Sequence, residues 1–325
     1  MRVQGGRREG GLSFAIIAAC IMTTAVVVSV DGPHMTLPAV FRPDSELEAA
    51  ARPPAAESAR PDTSRRPPTR KPWQATEGEQ PQKTVVEAQT LALAAAKWRL
   101  GRSPLTAPSD ATVPRSPVTT TAIPVIRRIP TQDRVVFLTV DDGAEKDPAF
   151  MDMVRDLNIP FTAFISDYVS RDNYSYFREL SRLGNGVENH TVNHPELTRL
   201  AADGQRSQIC NQQNILEKEI GRRPSLFRPP YGAYNDATLS AAKACGSKAA
   251  VLWTVEAFPD RLEYSGDLKL HPGDIILTHF RGPEQWRGSM TDMLRRVVNE
   301  ATAQGFAFGR LDAYLQRMHP TSPAA

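Results

Sequence analysis

The fold is decided at residues 135–143, which read Val135-Val136-Phe137-Leu138-Thr139-Val140-Asp141-Asp142-Gly143. A run of consecutive apolar residues is typical of a strand that is buried on both faces of a parallel sheet. This run ends abruptly in two acids and a glycine, so the strand would deliver carboxylates to the rim of the sheet. In α/β barrels the active site lies at the rim formed by the carboxyl ends of the strands.

Short apolar runs and amphipathic stretches alternate along the chain after this strand. We predict strands at residues 135–140, 161–165, 226–228, 249–255, 274–277 and 306–311. We predict helices at residues 150–157, 176–183, 203–220, 236–245 and 292–304. This alternation predicts a parallel sheet, in either a barrel or a doubly wound arrangement.

The second chemically distinctive stretch is His190-Thr191-Val192-Asn193-His194. Two histidines four apart can point at one metal ion if the backbone there is a single helical turn. A carboxylate from the Asp141-Asp142 pair would be the third ligand, with positions left open for water and substrate. No cysteine cluster has zinc-ligand spacing, so a metal site must use histidine and carboxylate. Taken singly, the acids could form a turn after a strand, and the histidines could lie in a surface turn.

The N-terminus has the composition of an export segment. Arginines at positions 2, 7 and 8 precede an uncharged, mostly apolar run at residues 12–30. This run is close to the roughly 20 residues that span a bilayer as a helix. Because the basic flank should stay in the cytoplasm, we expect residues 1–30 to anchor an extracellular domain in the cell membrane. The alternatives are a cleaved signal peptide, which would make the protein secreted, and a lipoprotein signal at Cys20.

Proline divides the rest of the chain into two regions, since most of its 27 prolines precede residue 130. We interpret residues 31–118 as a disordered, Pro-rich linker, with one short helix near 85–100. Residues 119–318 would form the catalytic domain and residues 319–325 a tail. The net charge of +3 does not indicate a nucleic-acid partner.

Four motifs occur in chain order, three at the ends of predicted strands and one directly after Val187-Glu188-Asn189. They are Thr139-Val140-Asp141-Asp142-Gly143, His190-Thr191-Val192-Asn193-His194, Arg228-Pro229-Pro230-Tyr231 and Leu277-Thr278-His279. Together they resemble the Thr-Phe-Asp-Asp-Gly, His-Ser/Thr-x-x-His, Arg-x-Pro-Tyr and Leu-x-His motifs of the polysaccharide deacetylase family, carbohydrate esterase family 4. The resemblance covers roughly residues 135–315. It implies a distorted (β/α) barrel that removes N- or O-acetyl groups from sugars with the help of a metal.

The resemblance also implies the metal ligands. Asp142, His190 and His194 would hold a divalent metal ion, with Zn²⁺ as the expected ion. Such an ion polarises a carbonyl group and brings the pKa of water toward ~7, which an unreactive amide substrate requires.

The resemblance implies further roles around that metal. Asp141 would be the general base, oriented by Arg228, and His279 would be the general acid that protonates the leaving amine. Tyr231 would offer its backbone N–H to the oxyanion, and Leu277 would line the pocket for the acetyl methyl group.

A further motif of the family, the fourth in its own order, lies between the third and fourth motifs matched here and is altered in this chain. Trp253 is present, but the Asp-Trp pair that follows it in the family is missing from residues 254–260. In the family that acid pairs with the motif arginine, and Glu256 and Asp260 are the candidates to replace it on Arg228. If neither does, we expect a poorly tuned Asp141 and slow turnover. Trp286 either stacks on a sugar ring or packs a loop.

Two cysteines, Cys210 and Cys245, fall on predicted helices of the catalytic domain. In an exported protein they would form a disulfide, because the compartment is oxidising. The alternative is a pair of buried thiols.

These features favour an exported, metal-dependent hydrolase that removes acetyl groups from a cell-surface polysaccharide, with peptidoglycan amino sugars as the expected glycan substrate. A member of the fold that binds glycan or metal with little or no turnover is one alternative, and a hydrolase of a non-sugar amide is another. An iron oxygenase with two histidines and one carboxylate is disfavoured by the β/α alternation and by the acid preceding the histidines.

Overall fold

The computed structural model describes residues 80–108, residue 113 and residues 122–318. The predicted anchor at 1–30, most of the predicted linker and the tail at 319–325 lie outside these residues. Within the described part, no helix combines the length and the hydropathy that a membrane span requires.

Ten strands of the described residues form one curled sheet. They are β1 (Val125–Ile126), β2 (Val135–Asp142), β3 (Phe161–Ile165), β4 (Gly186–Asn189), β5 (Leu226–Phe227), β6 (Ala249–Val251), β7 (Val255–Ala257), β8 (Leu262–Tyr264), β9 (Ile275–His279) and β10 (Ala307–Phe308). Their order is β1-β6-β5-β4-β3-β2-β9-β7-β8, and β10 pairs with the start of β2. All pairs are parallel except the β7–β8 hairpin. The sheet is therefore an open, curled half-barrel of mostly parallel strands, which is consistent with the expected distorted (β/α) barrel.

Eight helices lie within the described residues. They are α1 (Gln80–Lys97), α2 (Pro148–Leu157), α3 (Asp167–Ser170), α4 (Tyr174–Arg182), α5 (Ala202–Ile220), α6 (Asp236–Ala244), α7 (Met290–Ala303) and α8 (Leu311–Met318). Helices α2, α4, α5 and α7 bury apolar side chains against one face of the sheet, which we call the outer face. The sequence predicted these four helices and α6, whereas α3 and α8 were not expected.

Strand β2 sits at the centre of the sheet and divides its side chains between two cores. Val135 and Phe137 join an inner cluster with residues of α8, whereas Val136 and Leu138 join the outer cluster under the helices. Because side chains alternate along a strand, Thr139 and Asp141 continue the inner face. The catalytic candidate Asp141 therefore lies above a packed apolar interior, and it is itself buried.

A disulfide links Cys210 on α5 to Cys245, the residue that follows α6. The predicted pairing is thus present in the structure. It ties together two helices that flank β4 and β5, the strands that precede the second and third motifs.

Helix α1 packs on the outside of the half-barrel. Its Ala94 and Ala95 are buried in the outer cluster, and Trp98 donates a hydrogen bond of 2.8 Å from Nε1 to Asp156 on α2. On the other side, Arg295 of α7 donates to the Trp98 carbonyl at 3.0 Å. Packing therefore begins ahead of residue 119, where we expected the catalytic domain to start.

Candidate active site

The carboxyl ends of β2 and β4 bring together one carboxylate and two imidazoles. Asp142 ends β2, and its Oδ1 lies 3.4 Å from Nε2 of His194 and 3.8 Å from Nε2 of His190. The donor atoms of these three residues all lie within 4.8 Å of one another. Nδ1 of His190 lies 2.8 Å from the Arg228 carbonyl oxygen and donates to it, which leaves the Nε2 lone pair free. This donor set fits a divalent metal such as zinc.

The charge states of the three residues also suit a metal. Burial lowers the pKa of both histidines to about 4, so their imidazoles are neutral at physiological pH. Burial alone would raise the pKa of Asp142, but the surrounding histidines and Arg281 outweigh it and keep the group ionised. Neutral imidazoles and an ionised carboxylate are the forms that coordinate metals.

The helical turn that we expected at the histidine pair is absent from the structure. Thr191 and His194 instead adopt left-handed backbone conformations, with φ of 70° and 55°. The Thr191 N–H donates to the Asn189 side chain at 2.9 Å, and the His194 N–H donates to the Thr191 hydroxyl at 3.1 Å. These local side-chain bonds replace helical hydrogen bonds and set the two rings 4.8 Å apart.

Backbone strain is concentrated at this rim. Six non-glycine residues of the described part have positive φ, and four of them, Asp142, Thr191, His194 and Tyr231, lie in the site. Each such residue costs on the order of 1–3 kcal/mol and persists only where the surrounding structure enforces it.

Asp141 is held by a fully buried arginine. Nη1 of Arg228 donates to Asp141 Oδ1 at 2.6 Å and to the Thr139 hydroxyl at 2.9 Å. The guanidinium also donates from Nε to a backbone carbonyl and stacks over the Phe164 ring at 4.3 Å. Burial raises the pKa of Asp141 to about 7, although the guanidinium favours the ionised form. A carboxylate with such a pKa is suited to accept a proton near neutrality.

His279 ends β9 directly beside Asp141 of β2 in the register of the sheet. Its Nδ1 is buried without a hydrogen-bond partner, and Oε1 of Glu256 lies 3.9 Å from it. Burial lowers the pKa of His279 to about 3, while burial and the nearby Glu263 and Asp141 raise the pKa of Glu256 to about 7. Near neutral pH this pair therefore holds its available proton on the carboxyl group.

Neither of the two candidate acids, Glu256 and Asp260, forms a hydrogen bond or an ion pair with Arg228. Glu256 faces His279, and Asp260 is 3.1 Å from Arg261 at the surface. The guanidinium of Arg228 instead donates to Asp141, to Thr139 and to the backbone carbonyls of Val251 and Leu252.

The remaining predicted residues lie at different depths. Tyr231 is 54% exposed at the mouth, with its ring 4.7 Å from that of His194. Leu277 is buried on β9, two residues before His279. The Trp286 ring lies 6.4 Å from the ring of His279 and 6.4 Å from that of Phe258. The structure therefore brings all the predicted site residues to one end of the half-barrel.

Two residues at the mouth were not predicted. Nη2 of Arg281 lies 3.4 Å from Oδ2 of Asp142, and Tyr168 is 46% exposed. Burial and the charge of Asp142 raise the pKa of Tyr168, and its backbone N–H donates to the carbonyl of Val192, which lies between the two histidines in the chain, at 2.9 Å. Arg281 follows His279 by two residues, and this closeness in sequence could have identified it as a candidate site residue.

Comparisons with known proteins agree with the motifs. A sequence profile described as polysaccharide deacetylase matches residues 128–250. An uncharacterized protein of Streptomyces coelicolor is 41% identical over 194 residues, which cover 59% of this chain and 77% of that protein. A peptidoglycan-N-acetylglucosamine deacetylase of Bacillus cereus is 26% identical over 59% of this chain and 92% of its own length. A peptidoglycan-N-acetylmuramic acid deacetylase of Bacillus subtilis is 26% identical over 56% of this chain and 72% of its own length.

Solved structures share the fold. The structure of a peptidoglycan N-acetylglucosamine deacetylase bound to an N-hydroxybenzamide has a TM-score of 0.52 at 24% identity and covers 59% of this chain and 92% of that chain. The structure of a carbohydrate esterase family 4 pseudoenzyme from Bacillus anthracis has a TM-score of 0.50 at 23% identity, and the match covers 59% of this chain and 68% of that chain. At these identities the likeness establishes the architecture.

Proposed function

The chain belongs to the polysaccharide deacetylase family, and on that premise we propose that it is an exported, metal-dependent hydrolase that removes acetyl groups from peptidoglycan amino sugars. The observation that carries the proposal is the placement of Asp141 and His279 beside the Asp142-His190-His194 cluster. A base, a metal site and a proton donor at one rim are the parts that amide hydrolysis needs.

The metal site supplies one part of the chemistry. A divalent ion held by Asp142, His190 and His194, which we propose to be Zn²⁺, would polarise the acetyl carbonyl and acidify water. The Arg228 carbonyl fixes the tautomer of His190 by accepting from its Nδ1.

Proton transfer falls to the chain's own side chains. Asp141 takes a proton from the attacking water, and Arg228 holds the carboxylate in place for that step. His279 gives a proton to the departing amine from its Nε2. Glu256, which faces the opposite ring nitrogen, replenishes that proton.

The mouth of the site binds the sugar in this proposal. The backbone N–H of Tyr231 is the oxyanion donor, and a donor of this type is worth about 3–4 kcal/mol in the transition state. Leu277 receives the acetyl methyl group, and Trp286 stacks on the sugar ring.

Export is supported by the disulfide between Cys210 and Cys245, because such bonds persist in oxidising compartments. Together with the basic and apolar composition of residues 1–30, it favours a catalytic domain that faces the cell wall from the outer side of the membrane.

A glycan-binding protein with little turnover is the second candidate. It is favoured by the missing Asp-Trp pair of the fourth motif and by the pseudoenzyme among the structures of the same fold. The buried contact between Asp141 and Arg228 argues against it, because the base keeps its partner.

The test is acetate release by the full-length protein, purified with its disulfide formed and loaded with zinc. Peptidoglycan and N-acetylglucosamine oligomers are the substrates, and the Asp141→Asn variant is compared with Asp260→Asn, which alters an exposed acid. We expect acetate that requires metal and Asp141 but not Asp260. Metal binding without acetate from any acetylated glycan would favour the binding protein instead.

A further inference from the structure

One cationic side chain at the mouth has no assigned role. Arg281 follows β9, and its side chain is 39% exposed beside Asp142. Among residues 122–318, its guanidinium makes one hydrogen bond, the 3.4 Å contact from Nη2 to Asp142 Oδ2. A guanidinium has five N–H donors, so most of its capacity remains open to a ligand.

The unpaired N–H donors of Arg281 lie beside the proposed catalytic groups. Its Nη2 lies 3.4 Å from Oδ2 of Asp142, and Arg281 follows His279, the last residue of β9, by two positions. Arg281 is therefore within reach of a sugar whose acetamido group lies between the metal ligands and His279.

The charge balance of the site makes this arginine distinctive. Arg228 is buried and paired with Asp141, so it is not available to a ligand. The metal ion would offset Asp142. With the metal bound, Arg281 therefore adds positive charge at a mouth where a neutral acetamido sugar offers no counter-ion.

We propose that Arg281 determines specificity by binding a carboxylate of the substrate, so that the preferred sugar is an acetylated amino sugar with a carboxylate on the neighbouring ring position. This inference rests on the proposed deacetylase function. In peptidoglycan, N-acetylmuramic acid meets the description, because a lactyl carboxylate on carbon 3 adjoins the acetamido group on carbon 2. Arginine binds such a group with two parallel N–H···O bonds, which lysine does not reproduce.

Two aromatic faces support this mode of binding. Tyr168 and Tyr231 are both about half exposed; the Tyr168 N–H donates to the Val192 carbonyl at 2.9 Å, and the Tyr231 ring lies 4.7 Å from the ring of His194. They would contact the ring of the sugar while Arg281 binds its acidic substituent.

The experiment compares matched substrates with the full-length, zinc-loaded protein. One is a glycan of alternating N-acetylglucosamine and N-acetylmuramic acid with free lactyl carboxylates. The second is the same glycan with those carboxylates converted to methyl amides, and chitooligosaccharide is the third. The variants are Arg281→Gln, Arg281→Lys and, as the matched control, Arg287→Gln, which alters an exposed arginine of the same loop.

We expect Arg281→Gln to lower kcat/KM on the free carboxylate substrate by roughly tenfold to a hundredfold, as the loss of a charged hydrogen bond predicts. On the methyl amide and on chitooligosaccharide the change should be less than about twofold. Arg281→Lys should recover part of the loss, and Arg287→Gln should behave like the unaltered protein. Zinc content should be equal in all four proteins.

Equal losses on charged and neutralised substrates would overturn the inference, because Arg281 would then act through Asp142 or on the transition state. Binding of each glycan to the zinc-loaded Asp141→Asn protein, measured by calorimetry, gives a readout that does not need turnover. If the unaltered protein releases no acetate from any substrate, the deacetylase proposal fails. Carboxylate binding that still depends on Arg281 would then uphold the role of this residue, and binding without that dependence would refute it.

Discussion

The two sides of the active site are built on different principles. On the metal side, Asp142, His190 and His194 are fixed by left-handed backbone, by short side-chain bonds and by the carbonyl of Arg228. On the donor side, His279 has a buried nitrogen without a hydrogen bond, Glu256 at 3.9 Å and Arg281 partly exposed. The residues of the metal side are thus held by many contacts within the protein, whereas those of the donor side keep hydrogen-bonding groups without a protein partner.

This difference indicates which groups must be fixed before the substrate binds and which can adjust to it. Metal ligands must be preorganised, since small displacements cost large factors in rate. Groups that meet the leaving amine and the sugar can acquire their last contacts when the substrate arrives. We therefore expect changes on the metal side to abolish activity and changes on the donor side to alter its pH dependence and its selectivity.

The largest effect is expected for His194→Asn. Asparagine tolerates the left-handed backbone of this position, so the variant removes the imidazole without adding strain. Zinc binding should be lost, and activity should fall by roughly a thousandfold, because polarisation by the metal supplies several kcal/mol. Zinc per chain and acetate release are measured together, with the partly exposed His271→Asn as control. Retained zinc at full occupancy would mean that His194 is not a ligand.

The next effect is expected for Asp141→Asn, which tests whether base and metal ligands are separable. Zinc should stay bound while turnover falls roughly 10²- to 10⁴-fold, the usual contribution of a general base. The Tm should also fall, since Arg228 would remain as a buried charge without its partner. Thermal unfolding and acetate release check both expectations, and unaltered turnover would refute the base assignment.

A smaller effect is expected for Glu256→Gln on the donor side. Burial raises the pKa of Glu256 to about 7, so near neutral pH this carboxyl group carries the proton that resupplies His279. Glutamine cannot release such a proton, so kcat should fall about tenfold at pH 7, and the decline of kcat with rising pH that reflects ionisation of Glu256 should disappear from the profile. Asp260→Asn, an exposed acid in the same segment, should leave the profile unchanged. An unshifted profile in Glu256→Gln would separate Glu256 from proton transfer.

The smallest effect is expected for Ser289→Ala. Ser289 caps α7 by accepting from the Asp292 N–H at 3.1 Å, and it ends the loop that carries Arg281 and Trp286. Loss of the cap should lower the free energy of unfolding by about 1 kcal/mol. Zinc affinity should not change, because the metal side has its own supports. Chemical denaturation and zinc titration test this, and Ser289→Thr, which keeps a capping hydroxyl, is the conservative control.

The metal side could be predicted from sequence because its residues form short strings at the ends of strands. The apolar run of β2 predicts both the strand and the placement of Asp141 and Asp142 at its end. The left-handed backbone at His194 was missed, since spacing alone does not distinguish a helical turn from a loop closed by the Thr191 and Asn189 side chains.

The donor side was harder to predict because its contacts cross the sheet. The predicted strand 249–255 is split into β6 and β7, and β7 leaves the side of β6 to pair with β9. That crossing sets Glu256 opposite Leu277 and close to His279 rather than near Arg228. Similarly, the strand expected at 306–311 ends at Phe308, because α8 begins at Leu311 to close the inner cluster.

Helix α1 has a practical consequence for handling the protein. It covers apolar surface of the outer cluster through Leu91, Ala94, Ala95 and Trp98. A shortened chain that begins at residue 119 would expose that surface to water, and contiguous apolar patches of this kind drive self-association. Poor solubility of such a fragment would therefore reflect a missing part of the folded unit, and fragments that retain α1 should remain in solution at higher concentration.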